Sequence, residues 1–265
     1  MHLPRCLAIC VFLLMCAAGS EAANGQAWGV VKGRFVFGGD APKAVPLDIE
    51  RDADVCGKHG LVDESLVVNA ENLGIRYVAI WLDSKEPVPV HPELATFSAE
   101  PPVLDNRNCR FEPHMLAVRT GQPLLLMNSD PVAHNAAVYV RRTTPFSEVI
   151  PQNKPLEKKF SKAETLPTRV DCSIHPWMKA WLIISEHPYV AITDADGNFE
   201  LQNVPAGDWK FRLWHERPGF LQAVSRNGTP SPVTKGTWTL KISGAETLDL
   251  GELEVAQDQF AAKKR

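Results

Sequence analysis

The most informative stretch of this chain is Cys172-Ser-Ile-His-Pro-Trp-Met178. It offers a thiol, an imidazole and a thioether, and a second imidazole follows a predicted strand in Asn128-Ser-Asp-Pro-Val-Ala-His-Asn135. A thiolate, two imidazoles and a weakly bound thioether are the ligand set of a mononuclear copper centre that changes oxidation state with little movement. The predicted ligands are His134, Cys172, His175 and Met178.

A zinc site is the main alternative to copper. Cys56-Gly-Lys-His59 and Cys172-Ser-Ile-His175 are two Cys-x2-His pairs, which in principle supply a tetrahedral Cys2His2 site. That arrangement leaves His134 and Met178 without a role, so we favour copper.

Short runs of β-branched and aromatic residues, bounded by Gly, Asp and Pro, recur along the chain. They predict strands at residues 30–37, 76–82, 116–119, 124–127, 180–184, 198–201, 209–214 and 237–242. A helical period of 3.6 persists nowhere over three turns, although residues 157–163 predict a short helix. We therefore expect an all-β chain built from β-sandwiches.

The segment around the first imidazole carries a further pattern. It runs from Phe111-x-Pro113 through a strand, a Gly turn and a second strand ending in Asn-x-Asp, to His134 followed by Asn135. Together with the short Cys-x2-His-x2-Met loop, this pattern resembles the cupredoxins, and among them the amicyanin-like small blue copper proteins. The chain as a whole also resembles proteins labelled methylamine utilisation proteins. The cupredoxin resemblance covers residues 103–186 and implies a Greek-key β-sandwich that holds one type 1 copper ion.

The neighbours of the four ligands predict supporting roles. We expect Asn135 to hydrogen-bond the backbone near Ser173 and so tie the two ligand loops together. Pro176 and Trp177 are expected to surround the exposed edge of His175 with an apolar patch, where a redox partner docks.

A second module follows the ligand loop. Residues 191–215 read as a strand, an Asp-Gly turn, a strand, a Pro-Ala-Gly turn and another strand. This pattern resembles the carboxypeptidase regulatory-like (transthyretin-like) β-sandwich. The predicted strands at 30–37 and 76–82 resemble the opening strands of the same sandwich. The cupredoxin segment is then either inserted in this sandwich or consecutive with it.

The predicted divisions of the chain follow from these patterns. They are a signal peptide at 1–23, N-terminal strands of the regulatory-like sandwich at 24–100, a cupredoxin domain at 103–186, the regulatory-like sandwich at 187–255 and a tail at 256–265.

The first 23 residues predict export. One Arg precedes an apolar run at residues 6–16 and a run of small residues, which is typical of a cleaved secretory signal. Met15 stands before Cys16 where a lipoprotein signal needs a small residue, so we expect no lipid anchor. The apolar run is shorter than the about 20 residues of a transmembrane helix. We expect a soluble periplasmic or otherwise exported protein without a transmembrane segment.

Removal of the signal leaves three of the six cysteines, Cys56, Cys109 and Cys172. In an oxidising compartment cysteines usually pair in disulfides, so an odd number of cysteines leaves one thiol that serves a purpose other than a disulfide. We expect a disulfide between Cys56 and Cys109. The alternative is a second metal site that adds His59 and His114 to these two cysteines.

Charge and motifs exclude several functions. The 28 Lys and Arg against 31 Asp and Glu give a formal charge of −3, and the basic residues form no block before the C-terminus. Nucleic acid is therefore not an expected partner. The chain has no His-x-His pair for further copper ions, a single Cys in the ligand loop and no Gly-x-Ser-x-Gly motif. We expect no enzymatic activity.

The expected function is the transfer of single electrons between a redox donor and an acceptor in the cell envelope. The alternative is an envelope binding or copper-handling protein, with a cupredoxin-like shell and no electron-transfer role.

Overall fold

The structure is a computed structural model that describes residues 25–261. Strands hold 45% of the residues and helices 6%, which confirms the predicted all-β sandwich class. The predicted signal peptide and Cys16 lie outside the described residues. Within the described range no helix combines the length and the apolar character needed to cross a bilayer.

The regular structure consists of many short strands and very short helices. The strands are β1 (Trp28–Gly38), β2 (Ala79–Asp83), β3 (Val103–Arg107), β4 (Arg110–Glu112), β5 (Met115–Arg119), β6 (Leu124–Asn128), β7 (His134–Val138), β8 (Phe146–Ile150), β9 (Leu156–Lys158), β10 (Thr168–Asp171), β11 (Lys179–Ser185), β12 (Val190–Ile192), β13 (Asn198–Pro205), β14 (Gly207–His215), β15 (Gly219–Phe220), β16 (Ser225–Arg226), β17 (Thr229–Pro230), β18 (Thr237–Ile242) and β19 (Thr247–Ala256). The helices are α1 (Ala53–Cys56), α2 (Pro92–Ala95) and two 3-10 helices, Gly57–His59 and Gln257–Phe260.

The strands form two sandwiches of two sheets each. Strands β3 to β11 build the sheets β4-β3-β6-β9 and β5-β11-β10-β7-β8, which we call the central sandwich. The strands before and after them build β13-β1-β19-β16-β17 and β12-β2-β14-β15, with β18 on β14, which we call the flanking sandwich. The chain thus leaves the flanking sandwich after β2 and returns to it at β12, as an inserted domain would require.

Alternating burial explains why these segments are strands. In β18, Trp238, Leu240 and Ile242 point into the flanking core while the residues between them are exposed. The central core is filled in the same way, for example by Leu124 and Leu126 on β6, both fully buried. Since burial of one such side chain contributes about 1.5–3 kcal/mol, the period of two in the sequence selects the strand.

Two local expectations differ from the structure. The helix predicted over residues 157–163 is wrong, because Leu156–Lys158 form β9, which pairs with β6. Leu156 and Phe160 pack on the central core, and that burial outweighs a weak helical pattern. The chain also packs beyond residue 255, where a tail was expected. The 3-10 helix Gln257–Phe260 buries Phe260, with its ring centroid 5.4 Å from that of Phe37.

A third apolar cluster joins the two sandwiches. It combines Trp214 and Trp81 of the flanking sandwich with Met115 and Ile183 of the central sandwich. The rings of Trp181 and Trp214 meet edge to face across this contact, with centroids 4.8 Å apart. We call this set the inter-sandwich cluster.

Candidate metal centre

The register of three strands brings the predicted ligands together. His134 is the first residue of β7, and Cys172 to Met178 form the loop between β10 and β11. Strand β10 is antiparallel to both β7 and β11, with Asp171 opposite Ala137. The chain that continues past Asp171 therefore runs toward the start of β7, and the loop closes over His134.

Three donor atoms form a tight triangle at this end of the central sandwich. His134 Nδ1 and His175 Nδ1 lie 3.0 Å apart, and Cys172 Sγ lies 3.9 Å from the first and 3.8 Å from the second. The three side chains are 0–1% exposed. A point about 2.1 Å from all three atoms exists inside this triangle, close to the metal–nitrogen and metal–sulfur bond lengths of about 2.0–2.3 Å. The donor set and its spacing fit one ion.

Met178 closes the ligand loop. Its backbone N–H donates to the carbonyl of His175 at 3.0 Å, and its own carbonyl accepts from Cys172 N–H at 3.2 Å. The Met178 side chain is 1% exposed and packs in the same core cluster as Cys172. These two backbone hydrogen bonds hold the loop in one shape.

Asn135 makes the contact that was expected of it. Its Oδ1 accepts from the Ser173 N–H at 2.7 Å, and its Nδ2 donates to Ser147 Oγ on β8 at 2.9 Å. The buried amide thus ties β7, β8 and the ligand loop together. Such a brace limits how far Cys172 and His134 can move apart.

Both imidazoles hydrogen-bond a carboxylate on the side that faces away from the triangle. His134 Nε2 lies 2.9 Å from Asp130 Oδ2, and His175 Nε2 lies 2.7 Å from Asp52 Oδ2. Sequence reasoning missed both partners. Asp130 belongs to the Asn-x-Asp pattern before His134 and has a signal in the sequence, whereas nothing near Asp52 indicates its role.

The electrostatics of the triangle favour a thiolate facing a protonated imidazole. Burial alone would lower the pKa of His134, but its hydrogen bonds to Asp130 and Cys172 raise that pKa to about 9. Burial would raise the pKa of Cys172, but the bonds from His134, Asn135 and His175 lower it to about 6. The lowered pKa of Cys172 favours the thiolate, which is the form of cysteine that binds metal ions.

The surroundings of His175 differ from the exposed edge that was expected. His175 is 0% exposed, because Asp52 covers its outer nitrogen. Pro176 is exposed, whereas Trp177 is half-buried and its Nε1 donates to the carbonyl of Cys109 at 3.0 Å. Pro176 and Trp177 flank the ring without leaving an opening to it.

The cover over His175 is a loop of residues 45–63, which we call the strap. The structure joins Cys56 of the strap to Cys109, at the β3–β4 turn, by a disulfide. Leu47 and Leu61 pack with this disulfide in a small apolar cluster that includes Trp177. The strap is therefore fixed to the side of the central sandwich that carries the triangle.

The disulfide removes at least one cysteine ligand from each of the alternative metal sites. Its two sulfurs are bonded to each other, so Cys56 and Cys109 offer no thiolate to the Cys2His2 arrangement or to a second site with His59 and His114. His114 is instead paired with Glu216, its Nε2 2.7 Å from Oε2. Cys172 is the free cysteine of residues 25–261.

No protein-family model and no curated protein matches this chain. Solved structures match parts of it. A copper-containing nitrite reductase (NirK) from Thermus scotoductus SA-01 is 22% identical, covering 37% of this chain, with a TM-score of 0.30. The chain spans only 27% of the length of that enzyme.

Two small proteins match over almost their whole length. The reduced state of a proline-to-phenylalanine mutant of amicyanin is 17% identical, covering 40% of this chain and 97% of its own, with a TM-score of 0.29. A purple cupredoxin from Nitrosopumilus maritimus is 20% identical, covering 31% of this chain and 96% of its own, with a TM-score of 0.27. Each match covers less than half of this chain.

Proposed function

We propose that this protein is an exported type 1 (blue) copper protein that carries single electrons between redox partners in the cell envelope. The observation that carries the proposal is the buried triangle of His134 Nδ1, His175 Nδ1 and Cys172 Sγ, with Met178 in the same core cluster. Bound copper supplies a centre that accepts one electron from a donor and passes it to an acceptor.

The residues around the triangle support a site that stays rigid. The Asn135 amide and the backbone bonds of Met178 hold the ligand loop, and Asp130 orients the ring of His134. A site that keeps its shape in both oxidation states exchanges electrons with little rearrangement. Rigidity of this kind suits a carrier.

Burial supports a carrier rather than an enzyme. The three donor atoms belong to side chains that are 0–1% exposed, so a substrate has no open route to the metal position. An electron, unlike a substrate, can cross the protein shell without touching the ligands.

The first experiment is a visible spectrum of residues 24–265 after addition of Cu(II). An intense thiolate-to-copper band is expected, and Cys172→Ser should abolish it because the thiolate is its source. His59→Asn is the matched control, since His59 is exposed and lies outside the triangle. A colourless wild-type protein, or a band that survives Cys172→Ser, contradicts the proposal.

Redox cycling separates the carrier from the copper-handling alternative. A carrier should be reduced and reoxidised repeatedly without losing its metal, which is followed by the same band and by metal analysis. Release of copper on each oxidation, or retention of Cu(I) alone, would favour copper handling.

A further inference from the structure

The outer edge of His175 is covered by a carboxylate from a distant part of the chain. Asp52 precedes His175 by 123 residues, and its Oδ2 lies 2.7 Å from His175 Nε2. The other ring nitrogen, Nδ1, faces Cys172 and His134. A ring that binds a metal through Nδ1 carries its proton on Nε2. Asp52 is therefore placed to accept the hydrogen bond from that proton.

Asp52 makes this contact instead of the local contact that its position favours. It directly precedes α1, where an aspartate commonly accepts a hydrogen bond from the first backbone N–H groups of the helix. Its side chain makes no such bond. Its φ of 46° and ψ of 41° lie in the left-handed region, which residues with a Cβ seldom adopt. The local chain is thus arranged to direct the carboxylate at His175.

The strap is anchored on both sides of Asp52. At its base, Leu47 N–H donates to the carbonyl of Leu61 at 2.9 Å. Beyond Asp52, the Cys56–Cys109 disulfide attaches the strap to the central sandwich. The carbonyl of Asp52 accepts the N–H of Cys56 at 2.8 Å, which links the carboxylate-bearing residue to the disulfide directly. The cover over His175 is therefore a fixed part of the site.

We propose that Asp52 is a positioning residue of the metal centre, which orients the His175 ring from outside and stabilises Cu(II) relative to Cu(I). This inference rests on the proposed function. A carboxylate on the outer nitrogen of a ligand imidazole increases the basicity of the inner nitrogen and fixes the ring. A nearby negative charge also favours the more positive ion. Asp130 holds His134 in the same way, so both imidazoles of the triangle are braced.

The experiment compares the midpoint potentials of the copper-loaded wild-type protein, Asp52→Asn and Asp54→Asn by spectroelectrochemistry. Asp54→Asn is the matched control. It removes the same charge from the same strap, but the Asp54 side chain is exposed and makes no hydrogen bond to the described residues. We expect Asp52→Asn to shift the ratio of Cu(I) to Cu(II) affinity about tenfold toward Cu(I), which is a rise of about 59 mV for one electron. Asp54→Asn should leave the potential nearly unchanged.

The outcomes separate this inference from the proposed function. If the wild-type protein shows no thiolate-to-copper band, the proposed function fails, and this inference fails with it. If the band is present and the two variants have equal midpoint potentials, only the role of Asp52 is overturned. Equal potentials would mean that the hydrogen bond from His175 to Asp52 does not affect the potential, and that any shift comes from the loss of one negative charge at either position.

A measurement on the wild-type chain covers the case in which Asp52→Asn does not fold. In the diamagnetic Cu(I) protein, nuclear magnetic resonance of nitrogen-15-labelled histidine should show the His175 Nε2–H as a slowly exchanging, hydrogen-bonded proton. Fast exchange of that proton with water would show an uncovered ring and overturn the proposal.

Discussion

At the scale of single residues, Asp130 connects the disulfide to the candidate metal centre. Its two carboxylate oxygens accept the N–H groups of Asn108 and Cys109 at 2.7 and 2.8 Å, and one of them also contacts His134. Asn108 and Cys109 both have positive φ, near 55°, as the central residues of a tight hairpin turn require. These bonds hold the pKa of Asp130 below its usual value despite burial. One buried side chain thus stabilises a strained turn and orients a proposed ligand.

His215 is a buried histidine held in its neutral form. It is 1% exposed, and its Nδ1 accepts the N–H of Arg217 at 3.2 Å, which a protonated nitrogen cannot do. Burial lowers its pKa to about 3, although the nearby Glu216 opposes that shift. This residue makes the stability of the fold depend on pH.

We expect acid to destabilise the metal-free protein through His215. Below about pH 6.5 the unfolded chain protonates this histidine and the folded chain does not, so the free energy of unfolding falls as pH falls toward 3. The contribution of one such group is about 1.4 kcal/mol per pH unit. Urea unfolding of the wild-type protein and of His215→Gln between pH 7 and 5 measures it, and the variant should show the smaller slope.

The exposed His59 supplies the control for this titration. His59→Gln should leave the slope as it is in the wild-type protein. Equal slopes for the wild-type protein and His215→Gln would show that His215 is not the responsible group.

At the scale of elements, the strap owes its position to the disulfide. Its only helices are four-residue α1 and the 3-10 turn Gly57–His59, and its apolar contacts form the small cluster around Cys56 and Cys109. So little burial cannot order nineteen residues by itself, because each residue fixed costs about 1–2 kcal/mol of backbone entropy. The crosslink therefore decides where the strap lies.

Reduction of the disulfide should destabilise the protein measurably. The linked cysteines are 53 residues apart, and closing a loop of that length contributes about 4 kcal/mol in the chain-entropy model. Residues 24–265 without metal should show one free thiol in denaturant before reduction and three after it. Urea unfolding with and without reductant gives the free-energy difference.

The Cys172→Ser variant is the control for the thiol count. It should show no free thiol before reduction and two after it. Three thiols in the unreduced wild-type protein would mean that Cys56 and Cys109 are not linked.

At the scale of the whole molecule, the two sandwiches share a buried contact. The inter-sandwich cluster places Trp214, 6% exposed, against Trp181 and Met115. Beside it, His114 of the central sandwich pairs with Glu216 of the flanking sandwich, and both side chains are largely buried. An apolar contact with a buried polar pair favours unfolding of both sandwiches as one unit.

Replacement of Trp214 should divide the single unfolding transition of the protein into two, one for each sandwich. Trp214→Ala leaves a cavity that costs about 3–5 kcal/mol, and most of that loss falls on the contact between the sandwiches. Differential scanning calorimetry should show one transition for the wild-type protein and two for this variant. Trp209→Ala is the control, because Trp209 packs at the edge of the flanking core and should lower the melting temperature without dividing the transition. A single transition for Trp214→Ala would show that other contacts couple the sandwiches.

The sequence predicted the parts of this protein that depend on local pattern. Runs of β-branched and aromatic residues, bounded by turn residues, identified strands such as β1, β14 and β18, and the all-β class followed from them. The proposed ligands Cys172, His175 and Met178 lie in one short loop. A tight turn is enough to bring them close together, so their proximity could be predicted from the sequence. His134 was found because it follows a strand in a recognisable pattern.

The tertiary structure decided the contacts between distant segments. Asp52 and His175 are 123 residues apart in the sequence, and His114 and Glu216 are 102 residues apart. No motif or characteristic spacing in the sequence indicates either pair. Such contacts depend on the path of the strap and on how the two sandwiches pack against each other. Both are determined by the burial of the whole core and not by any single segment. The burial of His175, expected to be exposed, has the same cause. A periodic pattern reports which face of a strand is buried, but not what covers it.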